Sequence, residues 1–173
     1  VLVDNKCRTN VPGIWAVGDL IPTLQLAHVG FQEGIMVAEE IAGLNPQPIN
    51  YDGVPRVTYS EPEVASVGLS TATAKERGYD VEEISYDLAG NGKSQILKTA
   101  GSIKIVQQKG GPVLGIHLVG SRVGELIGEA QVIYNWQADA QDVAPYVHAH
   151  PTMNEAMGEA FLALAGKPLH AHG

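Results

Sequence analysis

The chain has 173 residues, about 45% of them hydrophobic, which is enough for one ordinary domain or for one domain plus part of another. Its formal net charge of −8 at pH 7, with no Lys/Arg cluster to override it, argues against a nucleic-acid-binding surface. No apolar run approaches the length of a membrane span, and the single cysteine, Cys7, excludes an internal disulfide, a dithiol redox centre and a cysteine-rich metal site.

Residues 1–45 read as strand, loop, strand, loop, helix. Val1 to Asp4 is strand-like, and a domain that opens inside a strand is expected to be preceded by further chain. No signal peptide is legible. Asn10-Val11-Pro12-Gly13 carries turn chemistry. Ile14-Trp15-Ala16-Val17 predicts a short strand buried on both faces, ending at Gly18-Asp19. A loop with Pro22 leads to Gln25-Leu26-Ala27-His28, and a helix then runs to about Ala42, closed by Gly43 and Asn45-Pro46. This is the pattern of the tail of a doubly wound α/β domain. Without sheet partners its strands would leave unpaired edges, so the segment is expected to be unstable or displaced. Residues 46–53, with Pro46, Pro48 and Asp52-Gly53, form a connector and the one candidate domain boundary.

From residue 54 to 173 the pattern is α+β. Arg56 to Tyr59 is strand-like, Ser60 to Glu63 a turn, and Val64 to Gly68 a second strand. Ser70 caps a short helix that ends at Gly78, and Val81 to Asp87 is a strand. Gly90-Asn91-Gly92 reads as a loop. Gly101 to Gln108 and Pro112 to Val119 alternate around Lys109-Gly110-Gly111 and predict a hairpin, in which His117 is a packing or surface residue. A helix from Val123 to about Trp136 follows, with Gly124 and Gly128 open to close approach by a neighbour. The expectation is an antiparallel sheet with helices on one side.

The last motif is His148-Ala149-His150-Pro151-Thr152-Met153-Asn154-Glu155-Ala156. Thr152-x-x-Glu155 reads as a capping box with Thr152 as N-cap. Ala156, Met157, Ala160, Phe161 and Leu164 recur at helical spacing, and Gly166 and Pro168 end the run. Glu155 in the first turn can reach back to the helix entrance, where it would orient the His150 imidazole and stabilise its protonated form. Alone, a Thr-x-x-Glu is most often only a helix start, and a His before Pro only a loop residue. His148, His150, His170 and His172 form two His-x-His pairs, but no cysteine or second acidic ligand is spaced to complete a metal site, and none is expected.

Three segments in order carry a family resemblance: Thr9-Asn10-Val11-Pro12-Gly13-Ile14-Trp15-Ala16-Val17-Gly18-Asp19, then Pro62 to Gly68, then His148 to Ala156. Together they resemble the flavoprotein disulfide reductases of the pyridine nucleotide-disulfide oxidoreductase family, and among them the dihydrolipoamide dehydrogenases. The resemblance implies a C-terminal portion: the tail of an FAD domain in 1–45 and a dimerisation domain in 54–173. It implies that Asp19 contacts the ribityl chain of FAD. It also implies that Gln25, Leu26, Ala27 and His28 face the flavin at a helix N-terminus, where free N–H donors suit an anionic reduced ring. His150 would be the acid/base and Glu155 its partner carboxylate, serving the other subunit's active site, with His148 a neighbour. FAD and NAD, a homodimer, the lipoylated acyltransferase of a 2-oxo acid dehydrogenase complex as partner, and a cytoplasmic location are implied for the parent enzyme.

The departures are as specific. The family's Gly-rich ADP-binding turn, its Cys-x-x-x-x-Cys disulfide and its NAD domain have no counterpart in these residues, and Cys7 does not match the redox pair. Alone, the chain is expected to be inactive and to bind neither cofactor fully. A glutathione-reductase-like enzyme and a stand-alone dimerisation module are the alternatives.

Overall fold

The computed structural model describes residues 1–170. The chain divides into two compact units, Val1–Val54 and a second beginning at Pro55.

The first unit is built around one helix, α1 (Ala27–Ile41), whose buried face carries Val29, Glu33 and Met36. Neither strand expected here forms. Val1 to Asp4 is irregular, and Ile14 to Val17 contributes one isolated bridge, Arg8 to Trp15. Hydrogen bonds from Thr9 N to Ile14 O and from Ala16 N to Cys7 O extend that bridge, but among the described residues no third segment forms a bridge with it. An apolar run becomes a ladder only where neighbours accept its backbone groups. The apolar core is correspondingly small: Cys7, Ala16, Ile21 and Met36. Burial pushes the Cys7 thiol up to about 11, so it is an inert, uncharged packing group.

The second unit is a five-stranded antiparallel sheet in the order β1-β2-β5-β4-β3. Its strands are β1 (Arg56–Thr58), β2 (Glu63–Gly68), β3 (Val81–Asp87), β4 (Gly101–Gln108) and β5 (Val113–Gly120). Alternation sets the register: Ile103 lies opposite Leu118 and Ile105 opposite Ile116, all fully buried on one face. Two helices cover that face, α4 (Val123–Asn135) and α6 (Glu155–Leu164). The helices are not all on one side, as the sequence pattern suggested. The short α2 (Thr71–Glu76), capped by Ser70, packs Ala74 with Leu69, Val106 and Leu114 in a second cluster.

Two further helices position the site. Residues 90–92, expected as loop, open α3 (Gly92–Leu97), because the Asn91 side chain accepts from Ser94 N and caps it. A capping box between Asp139 and Asp142 starts the single turn of α5 (Ala140–Val143). On α4, Gly124 does admit a neighbour, its N–H donating to Glu63 at 2.9 Å, whereas the space beyond Gly128 is open.

Candidate active site

The loop between α5 and α6 carries the His-x-His-Pro motif. Its end differs from the sequence reading in one respect: α6 begins at Glu155 with Asn154 as its N-cap, and Thr152 lies one turn earlier. The capping-box bonds nevertheless form. Thr152 N donates to Glu155 Oε2 at 2.7 Å, and Glu155 N donates to Thr152 Oγ1 at 3.3 Å. The intervening bonds, Ala156 N to Met153 O and Met157 N to Asn154 O, span three residues rather than four, so the first turn is tighter than an α-helix.

The same box aims the imidazole. With one carboxylate oxygen on Thr152, Glu155 presents the other to His150 Nδ1 at 2.7 Å. The His150 side chain is 76% exposed, and its Nε2 makes no hydrogen bond among the described residues. Burial disfavours the Glu155 anion, but the Thr152 N–H and the His150 ring outweigh it and hold the carboxyl below its ordinary value. A carboxylate on Nδ1 fixes the neutral ring as the Nδ1–H tautomer and leaves the Nε2 lone pair as the proton acceptor.

His148 is held in a second pair. Its Nε2 meets Glu129 Oε1 on α4 at 2.8 Å, and Asn154 Nδ2 donates to Glu129 Oε2 at 2.8 Å. The Glu129 hydrogen bond raises the His148 pKa against the opposing effect of burial, with the Tyr146 backbone adding to the rise. Burial opposes the Glu129 anion, but His148 and Asn154 together hold its pKa below the ordinary value. The ring lies against α6 at Gly158, where a Cβ would fall 2.6 Å from His148 Nδ1, so any larger residue there displaces the imidazole. Buried Asn91 ties the loop's middle, its Nδ2 donating to Thr152 O at 3.1 Å.

A third histidine lies beside these. His170 donates its backbone N–H to Glu159 Oε2 at 2.8 Å, and its Nδ1 lies 3.3 Å from Glu159 Oε1. His150, Glu155, Tyr146, Leu162, Leu169 and His170 help to line one open cleft of about 390 Å³. Each of these three histidines is thus paired with its own carboxylate. Among the described residues no group of three His, Cys, Asp or Glu side chains is placed to hold a metal ion, and His172 lies outside the described residues.

Glu129 and Asn91 escaped the sequence reading. On an amphipathic helix Glu129 looks like a solvated charge, and Asn91 looks like a turn residue. The only signal was the cap: Asn followed three residues on by Ser, at the start of a short polar helix.

In the first unit, the residues singled out beside Gly18 lie together at the surface. Asp19 sits in a 3-10 turn (Gly18–Leu20) and is exposed, as are Gln25, Ala27 and His28, with Leu26 half-buried. Gln25 Nε2 donates to Asp19 O at 3.4 Å. Leu26 is the N-cap of α1 and supplies no side-chain cap. Fully buried Glu33 anchors this turn: its carboxylate accepts from Gly18 N at 2.6 Å, Thr23 Oγ1 at 2.8 Å and Tyr51 OH at 2.9 Å. Gly18 has φ +72, and α1 passes so close that a Cβ on Gly30 would lie 3.4 Å from Gly18 Cα. Burial beside Glu33 pushes the Tyr51 phenol up, so it stays a donor.

This sheet and its helices are shared with known proteins. The model of the pyridine nucleotide-disulphide oxidoreductase dimerisation domain matches residues 54–161, and the chain belongs to that family. It is 41% identical over 172 residues to a dihydrolipoyl dehydrogenase of Bacillus subtilis, and 39% identical over 172 residues to the mitochondrial dihydrolipoyl dehydrogenase 1 of Arabidopsis thaliana. These alignments span 98% of the chain but only 36% and 34% of the relatives, so the chain covers about a third of their length. Among solved structures, LpdA from Mycobacterium tuberculosis superposes with a TM-score of 0.88 at 26% identity, over 94% of this chain and 36% of that one. The flavoprotein disulfide reductase RclA from Escherichia coli shares the fold, with a TM-score of 0.83 at 23% identity over 92% of this chain and 38% of that one. No helix among the described residues is long and apolar enough to cross a membrane.

Proposed function

We propose that the chain is the C-terminal part of a dihydrolipoyl dehydrogenase, carrying the dimer-forming domain and the acid/base of the thiol half-reaction. The single observation that carries this reading is the His150–Glu155 pair: Nδ1 held on a carboxylate at 2.7 Å, Nε2 without a described partner, in an open cleft.

The proton chemistry follows from that geometry. A dithiol attacks a disulfide only as its thiolate. His150 Nε2 takes the thiol proton, the thiolate attacks a disulfide sulfur on the remainder of the parent enzyme, and the other sulfur leaves as a thiolate. Glu155 stabilises the resulting imidazolium through Nδ1–H and returns the ring to the same tautomer when Nε2 gives its proton back. The cleft accepts this substrate from a second copy of the chain in a homodimer. The dithiol is dihydrolipoamide on the acyltransferase of a 2-oxo acid dehydrogenase complex.

Residues 1–45 serve, in this reading, as the end of the FAD domain. They fit a flavin: Asp19 offers an exposed carboxylate to hydroxyl groups, and residues Gln25 to His28 lead into an α1 N-terminus without a side-chain cap. When bound there, FAD would supply the two-electron acceptor for the thiol side and the donor to NAD. Replacing His150 by Gln in the full-length parent tests the reading. Loss of dihydrolipoamide oxidation by about 10²–10⁴-fold is expected. A near-unchanged rate would leave only a dimer-forming module.

A further inference from the structure

With His150 read as the base, as proposed above, the loop that carries it must be held still. His150 is one of three exposed residues, with Ala149 and Pro151, in a seven-residue loop, 148–154, and side chains on exposed loops wander unless their backbone is tied. The ties are specific. Glu129 on α4 bridges the two ends of the loop, accepting from His148 through one oxygen and from Asn154 through the other, both at 2.8 Å. The loop's middle is held from α3 by Asn91, and its inner turn is closed by Thr152 Oγ1 donating to Ala149 O at 2.6 Å. Asn154 makes no capping bond to α6, so its side chain is committed to Glu129.

We propose that Glu129 is the positioning residue of the acid/base pair: by bridging His148 to Asn154 it fixes the loop on which His150 must stand to meet Glu155. The bridge spans the three elements that matter. His148 comes before His150, Asn154 comes immediately before Glu155, and α4 is rigid, with Leu126, Ile127, Ala130 and Ile133 packed in the core. Any slippage of one end relative to the other changes the separation between His150 and Glu155, because His150 lies within the inner turn and Glu155 just beyond it. His148 is therefore more than a bystander to His150. It is one arm of the clamp, kept in register by Gly158, where no larger residue fits beneath its ring. The charge state supports this role: Glu129 is held as the anion and His148 is biased toward the cation, so the arm is a charge-assisted bond. Partners that orient a functional histidine without touching substrate act in this way at many sites.

The test reads the tautomer of His150 by two-bond 1H–15N correlation in this 173-residue chain. In the unaltered chain, Glu155 on Nδ1 makes neutral His150 the Nδ1–H tautomer. In Glu129→Gln the carboxamide keeps the volume but carries no charge and offers one acceptor oxygen, so it cannot accept from both His148 and Asn154. The His150 tautomer population is then expected to move toward that of a free histidine, with the backbone spectrum of the sheet unchanged. Should Glu129→Gln fail to fold, Asn154→Ala removes the other arm without removing a helix cap, and the same shift is expected. A His148 spectrum that changes while His150 keeps its Nδ1–H tautomer in either variant overturns the proposal. That readout is independent of turnover. A full-length His150→Gln enzyme that still oxidises dithiol would remove the base role while the clamp result stood.

Discussion

The two units solve the same problem in different ways. The second unit buries one large apolar layer, in which Ile103, Ile105, Ile116, Leu118, Met157 and Phe161 are all fully shielded. The first has a far smaller apolar cluster and relies on polar ties. Buried Glu33 gathers three hydrogen bonds, and Glu40 is bonded by Lys6 and paired with Arg8. A large apolar layer tolerates the loss of any one polar contact, whereas a small unit knotted by two carboxylates does not. The difference also bears on where the proposed acid/base pair sits. The histidine loop is laid over the apolar layer and fastened by carboxylates at its edge, so the site inherits the sheet's rigidity.

The comparison can be broken by substitutions. Phe161→Ala empties the centre of the second unit and should cost about 3–5 kcal/mol, read as a fall in the denaturant midpoint. A loss under about 1 kcal/mol would mean that this layer is not what holds the unit. In the first unit, Glu33→Ala leaves Gly18 N–H and the Tyr51 hydroxyl without their acceptor and should cost about 3 kcal/mol. Hydrogen exchange would localise it: amides within 1–54 should open faster while those of the sheet hold. Equal acceleration in both units would erase the distinction.

A smaller effect depends on pH. The His148 pKa is raised above its ordinary 6.5, so its contribution is complete below that pH and fades as pH rises through the folded value. Glu129 is depressed below its ordinary 4.5, so its contribution is present above that pH and fades as pH falls through the folded value. The pair therefore stabilises most between about pH 4.5 and 6.5. Glu129→Gln should cost about 1.5–3 kcal/mol in that window and less at higher pH, a difference read by denaturation at two pH values. A cost that does not vary with pH would mean that the pair acts without its charges. The smallest effect belongs to the surface: Lys104→Met removes an ion pair to Glu83 whose side chains are 38% and 45% exposed, and should change stability by under about 1 kcal/mol.

Much of the second unit is legible in the sequence, because its signals are local. Alternation from Ser102 to Gln107 specifies the hairpin, and Ala156 to Phe161 specifies the last helix. Even there a one-sided stripe is too simple, since Gly158 and Glu159 are also buried, one beneath His148 and the other bonded to His170. The first unit misleads: Ile14 to Val17 has strand composition, but a strand needs a ladder, and composition does not report partners. The His150–Glu155 pair can be anticipated because five residues separate its members across a helix start. The Glu129 bridge cannot, because α4 and the loop meet only in the fold, nineteen and twenty-five residues apart.

The most direct test of the proposed base separates the two half-reactions proposed for the full-length parent, carrying His150→Gln, by stopped-flow absorbance of the flavin it is proposed to bind. Reduction of the flavin by dihydrolipoamide should slow by about 10²–10⁴-fold, because only that half needs a proton taken from a thiol, while reduction by NADH should keep its rate. Equal slowing of both halves, or of neither, would contradict a base that serves the thiol side.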